Sequence, residues 1–208
     1  MTPRENGMQL YLGFGVNVGN LGRRQPERES MGAWVKRLNQ ALENHRAGIR
    51  VIAHFAHTGN LVISSAFDVA VAAAMLSRID KVIWVVVPET IVRESVERIR
   101  EFGSPFPEPG VRWTPGIAFA LSEPDLTVKL VPTRNGDFRP LSPSTVALWK
   151  RDLLTSRGIL ERSRRSGGWG ALSTDLQIQA GGKWTSRSLR TIDGTLARAT
   201  SAAESLGP

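Results

Sequence analysis

Along residues 9–18 apolar positions rich in Leu, Phe and Val alternate with small or polar ones, which predicts an opening strand running into a loop marked by Gly19, Asn20 and Gly22. From 29 to about 45, Met31, Trp34, Val35, Leu38 and Leu42 recur at three- and four-residue steps, the stripe of an amphipathic helix, with Gly48 as its terminator. Two apolar runs, 49–56 and 61–65, flank Thr58, Gly59 and Asn60 and predict a β-hairpin. Gly59 and Asn60 suit the central positions of a type II′ turn, because glycine takes the first, positive-φ place without a Cβ clash. Residues 68–78 are Ala-rich and predict a helix, and 82–87 form a continuous β-branched run that reads as a buried strand. The order β-α-β-β-α-β is that of a ferredoxin-like module, an antiparallel sheet with both helices on one face.

Pro88 and Glu89 open a further helix with the stripe Ile91, Val92, Val96, Ile99 and Phe102, closed by Gly103 and Pro105. Pro and Gly are too dense over 105–115 for regular structure, so the chain divides there. The expected fold class is α+β: a ferredoxin-like βαββαβ first half, 1–103, packed against a smaller basic α+β second half, 104–208, the two also readable as one continuous domain. In the second half the pattern predicts strands at 116–121 and 126–131, a short helix at 144–154, and a strand or two within 169–179. A last helix is expected from 185 to 203 in spite of Gly194, with 202–208 frayed.

Composition narrows the classes. The apolar fraction of 41% and charged fraction of 22% are those of a globular chain, which excludes disordered and fibrous architectures. No apolar run approaches the roughly 18 residues of a membrane span, and residues 1–8 lack the apolar core of a secretory signal, so no membrane partner is expected and the expected address is cytoplasmic. Cysteine is absent, and His45, His54 and His57 stand in no metal-binding spacing, so neither a metal nor a cofactor is expected. The formal charge of +8 is unevenly spread: residues 1–127 carry 14 basic and 13 acidic side chains, residues 128–208 carry 13 and 6. Basicity therefore belongs to the C-terminal part and favours phosphate-bearing partners, nucleic acid among them.

Four stretches, in order, resemble the bacterial family known as domain of unknown function 1697. Gly15-Val16-Asn17-Val18-Gly19-Asn20 is similar to its opening strand-loop motif, and the run from Thr58 through Gly59 and Asn60 to Ser65 to its hairpin. Ser104-Pro105-Phe106-Pro107 with the later Ala118 to Ser122 is similar to its Asn-Pro-Phe followed by a strand, and Thr185 to Ile192 to its terminal motif. Phe14 stands where that family has Arg, and Ser188-Leu189 where it has Asn-Trp, which marks a divergent member. The resemblance implies a fold and no activity.

Two groups of residues could carry chemistry. Asn17, His57, Thr58, Asn60, Thr185 and Arg187 lie beside glycine-rich turns or an expected helix start, where free backbone N–H groups and a helix dipole favour anions. Converging, they would form one pocket for a phosphorylated or carboxylated small molecule; the alternative is that the asparagines bond local backbone and Thr185 caps a helix. His57 could serve as a general base in such a pocket or simply pack. The second group is the basic loop with Arg162, Arg164 and Arg165, followed by Trp169, which suits phosphate pairing and base stacking or else a solvated loop with the indole in the core. No nucleotide fingerprint or nucleophile elbow appears, so no catalytic residue is assigned. Three functions remain open: a phosphate- or nucleic-acid-binding protein, an enzyme acting on an anionic substrate, and a non-catalytic interaction or homo-oligomeric assembly module.

Overall fold

The computed structural model describes residues 8–16, 30–45, 48–55, 59–80, 82–105, 107–154 and 168–206. Its described residues form an α+β fold with two four-stranded antiparallel sheets and five helices. The chain divides into two compact units, one of residues 1–93 with 193–208, the other of 94–192.

The first unit begins with β1 (Gln9–Gly15), α1 (Met31–Asn44), β2 (Ile49–Phe55), β3 (Asn60–Ser65), α2 (Val69–Asp80) and β4 (Trp84–Pro88). Every element expected over this stretch is present. Ser30 caps α1 by accepting the Ala33 N–H at 3.2 Å, and Asp68 caps α2 by accepting that of Val71 at 3.0 Å. The sheet order is β2-β3-β1-β4. One face carries Tyr11, Ile49, Val51, Leu61, Ile63, Trp84 and Val86 against Met31, Trp34, Leu38, Leu42, Ala72 and Leu76 of the two helices. The hairpin differs in detail from expectation: Asn60 is already in β3, paired with Phe55, and so is a ladder residue. Gly59 does take a positive φ of 67°.

The opposite face of this sheet is also buried, with Leu12, Phe14, Val62, Val85 and Val87 all at most 9% exposed. Phe55 shares that face through its pairing with Asn60 and thence Phe14. Its ring meets α5 (Leu189–Leu206), whose residues from Asp193 onward belong to this unit. A Cβ on Gly194 would overlap the Phe55 ring, which is why a helix-weakening glycine sits in the middle of α5.

The second unit holds residues 94–102 of α3 (Glu89–Phe102), then β5 (Val111–Ala120), β6 (Gly136–Ser142), β7 (Thr145–Leu153), α4 (Trp169–Ala180) and β8 (Trp184–Ser188). Its order, β6-β7-β5-β8, repeats that of the first sheet. Leu172, Leu176 and Ala180 of α4 pack on Ala118, Phe138, Val146, Leu148 and Trp184. On the other face the Phe102 ring of α3 lies 6.3 Å from that of Trp149.

Several expectations for this half are corrected. Residues 144–154 are the interior strand β7, not a helix: Val146 and Leu148 face one side, Ala147 and Trp149 the other, and burial on both faces erases the period-two signal. Residues 169–179 are helical, their stripe reduced to Trp169, Leu172 and Leu176. Residues 126–131 form no strand; Gln179 takes the backbone instead, accepting the Val131 N–H at 2.8 Å and donating to its C=O at 3.1 Å. Leu126, Val128 and Leu130 still pack on the core where the first unit has α1. The expected helix from 185 is strand β8 followed by α5, which begins at Leu189 behind Ser188, whose hydroxyl accepts the Thr191 N–H at 3.2 Å, and extends to Leu206. β5 begins inside the Pro-rich stretch: Pro115 pairs with Trp149 of β7, while the β8 ladder starts only at Gly116, so its missing N–H breaks no bond there. The units divide at 93/94 and 192/193 where the sequence expects 103/104, because α3 and α5 each pass from one unit to the other.

In a free helix Gly194→Ala would stabilise by about 1 kcal/mol. Here overpacking against Phe55 costs about 1–3 kcal/mol, so the substitution is expected to lower the urea midpoint, and Phe55→Leu in the same chain to recover part of the loss.

Candidate functional site

Of the six residues expected to share an anion pocket, Asn17, His57 and Thr58 lie outside the described residues. Asn60 belongs to the first unit. It is fully buried at the head of β3, between Phe55 and Phe14 in the ladder, and its Nδ2 donates to the Phe55 carbonyl at 3.1 Å. Thr185 and Arg187 belong to the second unit and are brought together by the alternation of β8, which sends both to the face opposite α4. Thr185 is a strand residue; the cap of α5 is Ser188.

Arg187 is the most unusual charged group among these. It pairs with Ile117 in the ladder, beside Phe119, and is half-buried. Its Nη1 donates to Thr185 Oγ1 and to the Ser186 carbonyl, each at 2.9 Å. Burial disfavours the cation and pushes the guanidinium pKa down to about 10. Both of these acceptors are neutral, and they orient the planar fork.

Arg162, Arg164 and Arg165 of the basic loop lie outside the described residues. Trp169, expected to follow them, opens α4 and is half-buried against the core. Its ring and the Arg187 carbonyl already occupy the space that a Cβ on Gly116 would take, and its own carbonyl accepts the Ser186 hydroxyl at 2.8 Å. The indole thus serves packing beneath β8.

Polar groups that the sequence pattern did not single out also cluster in the second unit. Asp152, 8% exposed, accepts the Thr114 hydroxyl at 2.9 Å and pairs with Lys150 Nζ at 2.5 Å. Glu108 forms a two-pronged pair with Arg151, and the Arg151 guanidinium holds its carboxyl below the usual range. Arg139 lies over Trp149 and Phe102, 5.0 and 5.4 Å from the ring centres. Alternate spacing on one strand could have flagged Lys150 and Asp152, but only with β7 recognised as a strand.

Among the described residues no three His, Asp or Glu side chains gather closely enough to hold a metal ion, and no helix is long and apolar enough to cross a membrane. A cleft of about 560 Å³ runs along α1 and β2 in the first unit, and one of about 440 Å³ lies between residues 124–127 and 140–143 in the second. Arg187 lines neither. No family model, curated protein or solved structure matches the chain.

Gly116→Ala tests how tightly the floor of this region is built. With backbone and an indole both in the way, it is expected to destabilise by about 1–3 kcal/mol, read as a lower urea midpoint with a shifted tryptophan emission; an unchanged midpoint would show that the space can open.

Proposed function

We propose that the protein binds a phosphate- or carboxylate-bearing ligand through Arg187, on a scaffold of two ferredoxin-like modules. The carrying observation is a change of character between matched strands. β4 sets Val85 and Val87 opposite Phe14 and Leu12, and β8 sets Thr185 and Arg187 opposite Phe119 and Ile117. A hydroxyl and a guanidinium at positions that take valine in the matching sheet cost desolvation, and such departures from local preference concentrate at functional sites. The held, planar fork suits two oxygens of one anion.

The shared order β2-β3-β1-β4 and β6-β7-β5-β8 supports the ferredoxin-like assignment, with α1 and α2 on one face of the first sheet and residues 121–135 replacing the first helix in the second. Membership of the domain of unknown function 1697 family is part of the same proposal and rests on the four sequence stretches. The charge division, 13 basic against 6 acidic side chains in 128–208, supports polymeric phosphate as a second reading.

Calorimetry with inorganic phosphate, pyrophosphate and citrate is expected to show binding that weakens at least about tenfold, or about 1.4 kcal/mol, in Arg187→Gln. Equal affinity in the variant, or no binding to the unaltered protein, would contradict the proposal. For the second reading, an oligonucleotide should bind at about 50 mM salt and release steeply as salt rises; absence of binding at low salt removes it.

A further inference from the structure

A strand at the end of a sheet offers a row of unpaired N–H and C=O groups to any other strand, and proteins close such edges by specific devices. β2 ends the first sheet and β6 the second. β2, with the sequence IRVIAHF, is strongly strand-forming and apolar, the kind of edge that recruits a second copy. Among the described residues its outer side faces the 560 Å³ cleft, lined by Arg50, Val51 and Ile52 together with Val35 and Asn39 of α1 and with Ala202 and Ser205 near the end of α5.

One side chain spans that opening. Asn39 Nδ2 donates to the Val51 carbonyl at 2.8 Å, and Asn39 Oδ1 accepts the Val51 N–H at 2.8 Å. Both backbone groups of Val51 therefore point away from β3, as at every second residue of an antiparallel ladder, and the carboxamide meets them as the peptide of an added strand would. The ladder is also interrupted next to this point, where the register shifts between Val51 and Ala53. The second sheet closes the matching edge with different chemistry. Pro140 of β6 has no N–H to offer, the Leu141 carbonyl takes the Arg98 guanidinium, and the register shifts between Pro140 and Ser142. Two different solutions at equivalent places indicate a shared requirement.

We infer that Asn39 is an edge lock: it occupies the Val51 peptide and so bars antiparallel β2-to-β2 pairing between two copies of this chain. The partner excluded is an extended strand, which would need the N–H and the C=O of Val51 that the carboxamide already holds. Arg50, at the rim of the same cleft, adds like-charge repulsion between two such edges.

The test compares the unaltered protein with Asn39→Leu, which keeps the bulk and removes both bonds, by sedimentation velocity from about 1 μM to about 1 mM and by amide hydrogen exchange at Val51. The expected result is a mass rising toward twice the monomer in the variant alone. The Val51 amide should exchange at least about tenfold faster at low concentration and regain protection as pairs form. An unchanged mass over the whole range, or association that leaves Val51 exchanging freely, overturns the inference. Should the leucine variant not fold, Asn39→Asp, which keeps the acceptor and withdraws the donor, is read by the same two measurements.

Discussion

The contact between the Phe55 ring and the backbone of α5 at Gly194 is the constraint on which the first unit depends. A four-stranded sheet with helices on one side leaves its other face apolar, and here that face carries Leu12, Phe14, Val62, Val85 and Val87. Such a surface must be covered. The cover includes a helix that enters the unit only at residue 193, about a hundred residues beyond the sheet it serves. Glycine at 194 lets that helix approach to the depth an aromatic ring demands. The second unit meets the same need with α3, whose Phe102 reaches Trp149 and whose Arg98 bonds the Leu141 carbonyl. Each unit is thus a sheet with helical cover on both faces, the second cover belonging to the helix that follows the other unit's last strand.

The same arrangement restricts where a ligand could be read. A single-stranded RNA platform needs aromatics displayed on an open sheet face, and Phe55, the hairpin aromatic in the right place, is under α5. What distinguishes the two sheets chemically is the strand before the last helix. Trp84 and Trp184 hold matching positions, each at the start of the strand that pairs with the central one, and after them the first sheet continues with valines while the second turns to Thr185, Ser186 and Arg187. The second copy of the pattern departs from apolar packing at the place where the guanidinium is desolvated.

The first half was legible because its signals are local and agree. Met31 to Leu42 keep a clean stripe, residues 68–78 are rich in alanine, and Gly59 marks the hairpin. The second half was not, for definite reasons. β7 is buried on both faces and reads like a helix segment; residues 126–131 resemble a strand but spend their bonds on Gln179. Thr185 resembles a helix cap, although Ser188 does that work three residues later. The pairing of Thr185 with Arg187 follows from strand alternation once β8 is recognised. The edge closure by Asn39 could not be read, since it joins a helix to a strand twelve residues away through geometry alone. The repeat was hidden because only scattered positions, such as Trp84 and Trp184, survive in both copies.

Energetically, α5 belongs with β1 to β4, and α3 with β5 to β8. Native-state amide hydrogen exchange of Phe55→Ala tests it most directly, since the substitution loosens one sheet without touching the other. Amides of residues 195–199 are expected to lose protection together with β1–β4, while those of β5–β8 and of residues 95–99 keep theirs. Loss of protection in β5–β8 with residues 195–199 unaffected would contradict it.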